Sequence, residues 1–414
     1  MLSQTLQSYD VSVPLLLNGS LGDFGTYKDV VFNNSKQRHI EIEFTITPEN
    51  HSYFEEEEIV SERWKNNSPL KMRIKYKFRP SIKEIVINEL EVIKDGNSIF
   101  VCRYNDSKEM QSIESVNGIK VPVKIKSMIS RRFRLFHFLP RSVFVSPHQL
   151  DENSELRKFV TDDILSTLKR LPRVCDSAYK FFMGIEFVGA MRLPPSRSFL
   201  FSGERNKRVG VNGENAVNMI AMDSLRKGKK SKRIKEKLIT WLKSAGIASD
   251  LKIVDLSERH YELHIQNLNS NEYQNFADVG YGNSQVIPIL VAGYNLEKGE
   301  TLVVEEPEIH LHPNAQAELG DFFLDLYHNK VNSLIESHSE YMIVRLQQHV
   351  ASGKIDKDDI AFYYIHAEDG QKHIKQLTLD GDGVFEQKWP QGFFPYRLDE
   401  AKELARIRHK NRGK

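Results

Sequence analysis

A mixed α/β fold follows from three features of the 414-residue sequence. The front is rich in strands of period two, the middle turns helical, and from residue 284 helix, strand, helix and strand alternate. The last feature predicts a parallel sheet in the C-terminal half, because parallel strands need crossover connections that helices supply.

The elements follow in order. "HIEIEFTI" alternates over 39–46 and "LKMRIKYKF" over 70–78; "EIVINELEVI" and "SIFVCRY" continue the pattern, so 39–126 is expected to be β-rich. The acidic run Glu55–Glu58 between the first two strands reads as a solvated loop or a loop-to-helix junction. Over 153–190, Leu156, Phe159, Val160, Ile164, Leu165 and Leu168 are spaced for one helical face. "FVGAMRLPPSRSFLFSGERNKRVGVNGENAV", rich in Gly, Pro and Arg, predicts loop with short strands. Helix is expected over 214–246, broken by "RKGKKSKR", and strands over 251–267.

Bulk properties narrow the function classes. Apolar residues make up 40% and charged residues 28%, the balance of a soluble globular chain. No run of eighteen apolar residues exists, and the N-terminus lacks the basic start and apolar core of a secretory signal. No membrane association is expected. The two cysteines, Cys102 and Cys175, fit a reducing, cytoplasmic setting and exclude a CxxC zinc site. A net charge of +2 leaves any basic surface local.

The richest stretch is "GETLVVEEPEIHLHPNAQ", Gly299–Gln316. A four-residue apolar strand ends in Glu305 and Glu306, and ligands of parallel sheets bind beyond the carboxyl ends of strands. An apolar run ending in two acids suits the Walker B motif of a nucleoside triphosphatase. There the first carboxylate holds Mg²⁺ and the second polarises the attacking water. Two other readings stand beside it. The glutamates could simply favour the N-terminus of a helix with Pro313 in its first turn. Alternatively Glu308, His310 and His312 could gather round a metal, although no HExxH or cysteine cluster accompanies them. Upstream, "NFADVGYGNSQVIPILVAG" places a Gly-rich turn, Gly280–Gln285, before an apolar helix, a geometry suited to anions. Downstream, "NSLIESHSEYMIVRL" gives a short strand with His338 at its end. The three together, within about sixty residues of sequence, are more specific than any one.

These motifs resemble the ABC-type ATPases of the RecF, SMC and OLD-like class, often labelled AAA-family ATPases. The likeness extends to a bacterial group with a C-terminal domain of unknown function. The residues that carry it are "DVGYGNSQVIPIL" (278–290), "EEPEIHLHPNAQ" (305–316), "ESHSE" (336–340) and "WPQGFF" (389–394), with "FVGAMRLPPSR" and "VGVNGENA". The resemblance implies an ABC-ATPase-like head with a parallel-sheet C-terminal half, a β-rich N-terminal part and a helical insertion. It implies four segments. Residues 1–150 are the β-rich remainder of an N-terminal ATPase lobe, and 151–275 a helical and mixed insertion. Residues 276–350 carry the signature, Walker B and switch histidine, and 351–414 a family-specific C-terminal domain.

Roles carry over by position. Gly280, Gly282, Ser284 and Gln285 match the signature, which contacts the γ-phosphate held by the opposite subunit. Glu305 stands in the Mg²⁺-holding position and Glu306 in that of the general base. "EIHLHP" falls at the D-loop, and His338 matches the switch histidine. ATP and Mg²⁺ are the implied cofactors; a homodimer, or a hetero-oligomer with a related ATPase or an effector, is the implied assembly. A role in DNA maintenance or anti-phage defence is implied as well. Two departures stand out: Gly280 replaces the usual second-position serine, and Glu305 is longer than the usual aspartate.

A phosphate loop needs GxxxxGK[ST], and the 414 residues contain none. "MLSQTLQSYDVSVPLLLNGS" resembles the family segment that follows the Walker A helix, so the chain is expected to begin inside or just past that helix. The loop is then truncated away, supplied by another polypeptide, or lost in a degenerate subunit. In the last case the chain is a scaffold or regulator that no longer hydrolyses ATP.

Two further candidates remain. "RKGKKSKRIKEK", residues 226–237, has eight basic residues against one glutamate, so Lys229, Lys230, Lys232 and Arg233 are candidate phosphate-backbone contacts, although a solvated face explains them too. "LDGDGV", Asp380–Val384, could be the acidic pair of a Toprim nuclease or a β-turn. About thirty residues follow it, too few for such a domain, and the turn accounts for the glycines.

Overall fold

Alternating side chains decide the first half of the molecule. In the computed structural model, which describes residues 1–32, 35, 38–47, 64, 68–143, 155–201, 203, 205–226, 232–368, 370–387 and 406, six strands form one antiparallel sheet. In chain order they are β1 (Ile40–Ile46), β2 (Leu70–Arg79), β3 (Glu84–Lys94), β4 (Asn97–Asn105), β5 (Met110–Val116) and β6 (Ile119–Lys120). Leu70, Met72, Ile74 and Tyr76 of β2 are fully buried, and the intervening Lys71, Arg73 and Lys75 leave the other face. Register sets Arg73 opposite Glu91 and Lys75 opposite Glu89, each closing an ion pair at 3.1 Å. The expected strands are thus present, and the run Glu55–Glu58 lies outside the described residues.

Helix α1 (Val123–Arg132) follows the sheet, and α2 (Asp162–Met183) lays Ile164, Leu165, Leu168, Leu171, Val174 and Phe182 into the same core. All six apolar positions expected on one helical face, Leu156 to Leu168, are buried. The helix breaks once, between Phe159 and Asp162, where Thr161 caps α2 by accepting from the Ile164 N–H.

The chain divides into two compact units, Met1–Ile185 and Glu186–Lys414. The segment 151–275 contributes to both. In the second unit, β7 (Ile185–Val188) joins a three-stranded sheet of order β7-β10-β11 with β10 (Thr301–Glu305) and β11 (Asn332–Glu336). Helices α3 (Ala216–Ser224), α4 (Ile234–Ser244) and α5 (Tyr281–Asn295) precede β10. The crossover helix α6 (Pro313–His328) joins β10 to β11, which pair in parallel as expected, with Thr301 against Asn332 and Glu305 against Glu336. Pro313 stands in the first turn of α6, where its missing N–H has no partner to lose. Helix α7 (Glu340–Ala351) follows β11.

Helix α5 is the centre of this unit. Val286, Ile287, Ile289, Leu290, Val291 and Ala292 are fully buried, so it is apolar on every side and covered by α3, α4 and α6. The strands expected over 251–267 are β8 (Ala248–Asp255) and β9 (His260–Asn267), an antiparallel pair extended by Phe199–Leu200 and Tyr273–Asn275. Two further strands, β12 (Phe362–Glu368) and β13 (Gln371–Leu377), form a hairpin. After it, Asp380 closes a turn, its Oδ1 accepting from the N–H groups of Asp382 (2.9 Å) and Val384 (2.8 Å), so "LDGDGV" takes the turn reading. "WPQGFF" lies outside the described residues. Among those residues no helix is long and apolar enough to cross a membrane.

Glu186 anchors β7 at the end away from the strand tips. Only 2% exposed, it accepts from the Val209 N–H at 2.8 Å and pairs with Arg208, which also reaches Glu300 at 3.1 Å. Burial pushes its carboxyl up to about 7, against the pull of Arg208 and of the Val209 and Gly210 N–H groups. A raised folded-state value means that the native chain holds this proton more tightly than the unfolded chain. The contribution is full below the unfolded value and disappears as pH rises through about 7. In chemical denaturation of wild type and Glu186→Gln, the difference should move toward the variant by on the order of 3 kcal/mol between pH 4 and pH 8.

Candidate functional site

The tip of β10 is where the local chain departs from regular structure. Glu305 is its last residue; Glu306 still donates its N–H to the Glu336 carbonyl at 2.8 Å, which carries the ladder one step further. Glu306 then takes φ +43°, the left-handed region, directly before Pro307. A residue preceding proline is ordinarily extended, and a left-handed non-glycine costs roughly 1–2 kcal/mol. A second left-handed residue, His310 at φ +64°, completes a tight turn in which Leu311 N–H bonds the Glu308 carbonyl at 3.0 Å. Something must hold this turn.

Arg192 does. It lies on the loop 189–197 that follows β7 and is 5% exposed. Its guanidinium donates to the carbonyls of Glu305 (2.5 Å) and Glu306 (3.0 Å) through Nη2, and to that of Gln285 (3.4 Å) through Nη1. Burial draws its pKa down to about 10, while Glu308, Glu306 and Glu305 pull the other way, so it stays charged at neutral pH. The same loop meets the acid beside it, for the Ala190 N–H donates to Glu305 Oε2 at 3.3 Å. Farther along, Arg197 pairs with Asp278 at the start of "DVGYGNSQ" through both guanidinium nitrogens, at 2.9 and 2.5 Å.

The "VGVNGENA" stretch supports this loop from behind. Val211 and Asn212 carbonyls accept from the Gly189 and Leu193 N–H groups, both at 2.9 Å. Gly213, at φ +78°, sits where a Cβ would lie 2.6 Å from Pro288 of α5. Four stretches spread over more than a hundred residues of sequence therefore meet at one strand tip.

The predicted residues divide by environment. Glu305 and Glu306 are half-buried at the tip, and Glu336, the register partner of Glu305, leaves the same face of the sheet. His338, exposed two residues beyond β11, donates its backbone N–H to Glu308 Oε1. Gly280 is exposed at the N-cap of α5, but Ser284 and Gln285 are each 3% exposed, with Gln285 Nε2 3.4 Å from Ser284 Oγ. Gly282 packs against the turn: a Cβ there would lie 2.6 Å from the His310 carbonyl oxygen. His312 Nδ1 caps α6 by accepting from the Ala315 N–H at 3.4 Å. Ser339 caps α7 and donates to Gln316 Oε1 at 2.7 Å, and Gln316 in turn holds the Leu311 carbonyl at 2.9 Å. The polar residues of "HLHPNAQ" and "ESHSE" thus fasten the connections between the acid-bearing turn and the helices after it.

Of the basic run, Lys229 and Lys230 lie outside the described residues. Lys232 Nζ is engaged by the Asn295 carbonyl and by Glu297, and Arg233 is exposed with φ +54°. Residue-by-residue reading of the sequence missed Arg192 and Glu336. A lone arginine framed by apolar residues in "GAMRLPP" is the signal for the first; the second was quoted within "ESHSE" without a role.

The packing of Gly282 yields a direct test. Gly282→Ala should destabilise the chain by about 1–3 kcal/mol, because backbone must yield to the new methyl. Gly280→Ala, where a Cβ meets nothing within 4 Å, should cost less in the same urea titration.

Comparison with known proteins adds the family. The AAA ATPase domain model matches residues 31–343, well over half of the chain. Comparison with curated protein sequences gives no match. Among solved structures, the Smc head bound to the C-winged helix domain of ScpA shares 10% identity over 76% of this chain and 77% of that one, with a TM-score of 0.32. The SMC head domain from Thermotoga maritima shares 9% over 75% and 74%, at 0.28. A third is the Smc head with an extended coiled coil bound to the C-terminal domain of ScpA derived from Pyrococcus furiosus, which shares 9% over 83% and 82%, at 0.29. Identities and scores this low leave the domain match as what places the chain: it belongs to the AAA ATPase domain family.

Proposed function

We propose that this chain is the signature- and acid-bearing part of an ABC-type ATPase that hydrolyses ATP with Mg²⁺ as a nucleotide-sandwiched dimer. The observation that carries the reading is the meeting of Gly280–Gln285, Glu305–Glu306 and loop 189–197 through one buried guanidinium. The donor set fits a hard cation: carboxylate oxygens of Glu305 and Glu336 share one face at the carboxyl ends of two parallel strands. MgATP, when bound, supplies the scissile γ-phosphate and the charge that neutralises its oxygens.

The chain's own residues would then divide the work. Glu305, whose Oε2 accepts from the Ala190 N–H, would hold the cation. Glu306 accepts a proton from the attacking water, whose oxygen bonds to the γ-phosphorus as the bond to the ADP oxygen breaks. Exposed His338 contacts the γ-phosphate. The N-terminal turn of α5 at Gly280 and Gly282 offers its backbone N–H groups to the phosphate of an opposing subunit, since Ser284 and Gln285 face inward. The 414 residues contain no GxxxxGK[ST] loop, so this reading requires a phosphate-wrapping loop supplied to the site from elsewhere, and residues 1–150 are the β-rich remainder of the N-terminal ATPase lobe. Residues 351–414 form the family-specific C-terminal domain. A DNA-associated role in maintenance or defence rests on the family resemblance and on the basic run ending at Arg233.

Replacing Glu306 by Gln keeps the shape and removes the base. In an ATP-turnover assay the rate should fall about 100-fold or more while ATP binding persists. Unchanged turnover in Glu306→Gln would overturn the assignment of the base.

A further inference from the structure

The loop 189–197 inverts the usual rule of burial. Met191 is 84% exposed and Leu193 50%, while the arginine between them is 5% exposed. Burying a guanidinium in place of a methionine or leucine forfeits transfer free energy, so its hydrogen bonds must supply the reason. Among the described residues those bonds go to three backbone carbonyls: two belong to the acid turn and one to the first turns of α5. The loop is itself fixed at both ends, by the Ala190 N–H on Glu305 and by Arg197 on Asp278. The Asn275 side-chain amide adds a bond to the Arg197 carbonyl at 2.9 Å. It therefore crosses from the residue that opens the Gly-rich turn to the residue that ends the acidic strand.

We propose that loop 189–197 is a coupling strap, with Arg192 as the positioning residue that locks the Gly280–Gln285 turn and the Glu305–Glu306 pair into one rigid body. The inference rests on the ATPase reading above and deepens it. A displacement of α5's N-terminus, such as a subunit docking on Gly280 would impose, passes through the Gln285 carbonyl and Arg192 to the Glu306 carbonyl. The direction in which the Glu306 side chain leaves its left-handed backbone then depends on whether the turn of α5 is seated. Arg192 touches no substrate in this scheme; it sets where the base stands. Lysine cannot replace it, because a single ammonium lacks the planar fork that reaches three acceptors.

The test compares wild type, Arg192→Ala and Arg192→Lys of the chain in an ATP-turnover assay. Arg192→Ala should lower kcat about 10–100-fold, the scale expected from misplacing a catalytic group by about 1 Å, with KM for ATP within about threefold. Guanidinium ion at sub-denaturing concentration should restore part of the rate to Arg192→Ala and none to Glu306→Gln. Arg192→Lys, which retains the charge, should fold and stay impaired. Amide exchange supplies a readout independent of turnover: both variants should raise exchange at Glu306–Leu311 and in the first turns of α5 together, leaving β8 and β9 unchanged. Exchange that rises in only one of those segments, or in neither, overturns the coupling. Wild-type kcat in Arg192→Ala overturns the positioning role. Absence of turnover in wild type defeats the ATPase reading, and the exchange result then still decides the strap.

Discussion

Three carbonyls on one buried guanidinium hold the tip of β10 against the first turns of α5. At the end of β10 the ladder stops, the chain turns left-handed at Glu306, and the carbonyls of Glu305 and Glu306 lose the regular partners a strand provides. Arg192 supplies donors to both and to Gln285 from a single planar group. Its charge persists despite burial, and Glu308, Glu306 and Glu305 favour that charge. A fixed cation beneath the acids therefore comes with the fold.

What surrounds this contact is stiff, as a site of paired acids requires. The first turns of α5 lie so close to the His310 carbonyl that only glycine fits at 282, and the rest of α5 is buried on every side. Gln316 and Ser339 tie the turn to the starts of α6 and α7, and Glu308 ties it to the backbone of His338. The acids, the histidine and the Gly-rich turn are thus carried on elements that share one core. Left-handed backbone at Glu306 and His310, unusual for non-glycine residues, is affordable only where surroundings are this determined.

Much of this was legible in the sequence because local periodicity decides local structure. The alternation in "LKMRIKYKF" and the one-sided apolar spacing from Leu156 to Leu168 state which face is buried, and the structure agrees from Leu70 to Tyr76 and at all six helical positions. The parallel pairing of β10 and β11 followed from a strand, a helix and a strand in succession. Long-range geometry was less accessible. Arg192 lies more than ninety residues before each of the three carbonyls it holds, and no pattern within "GAMRLPP" says what an arginine there will meet. The motif places Ser284 in the signature but does not state its burial, which helical geometry beside an apolar run sets at 3% exposure. The sequence offers His312 as one of three possible metal ligands, and in the structure its imidazole caps α6, a role that depends on where that helix begins.

Whether Glu305, Glu306 and His338 act together on a nucleotide's terminal phosphate is decided by seeing that nucleotide bound. The most direct measurement is a structure of the chain bound to Mg²⁺ and a non-hydrolysable ATP analogue. The expected result is a cation beside Glu305, a water between Glu306 and the γ-phosphate, and His338 turned to that phosphate, with the Arg192 contacts intact. Nucleotide bound away from the ends of β10 and β11, or a cation that ignores Glu305, would contradict it.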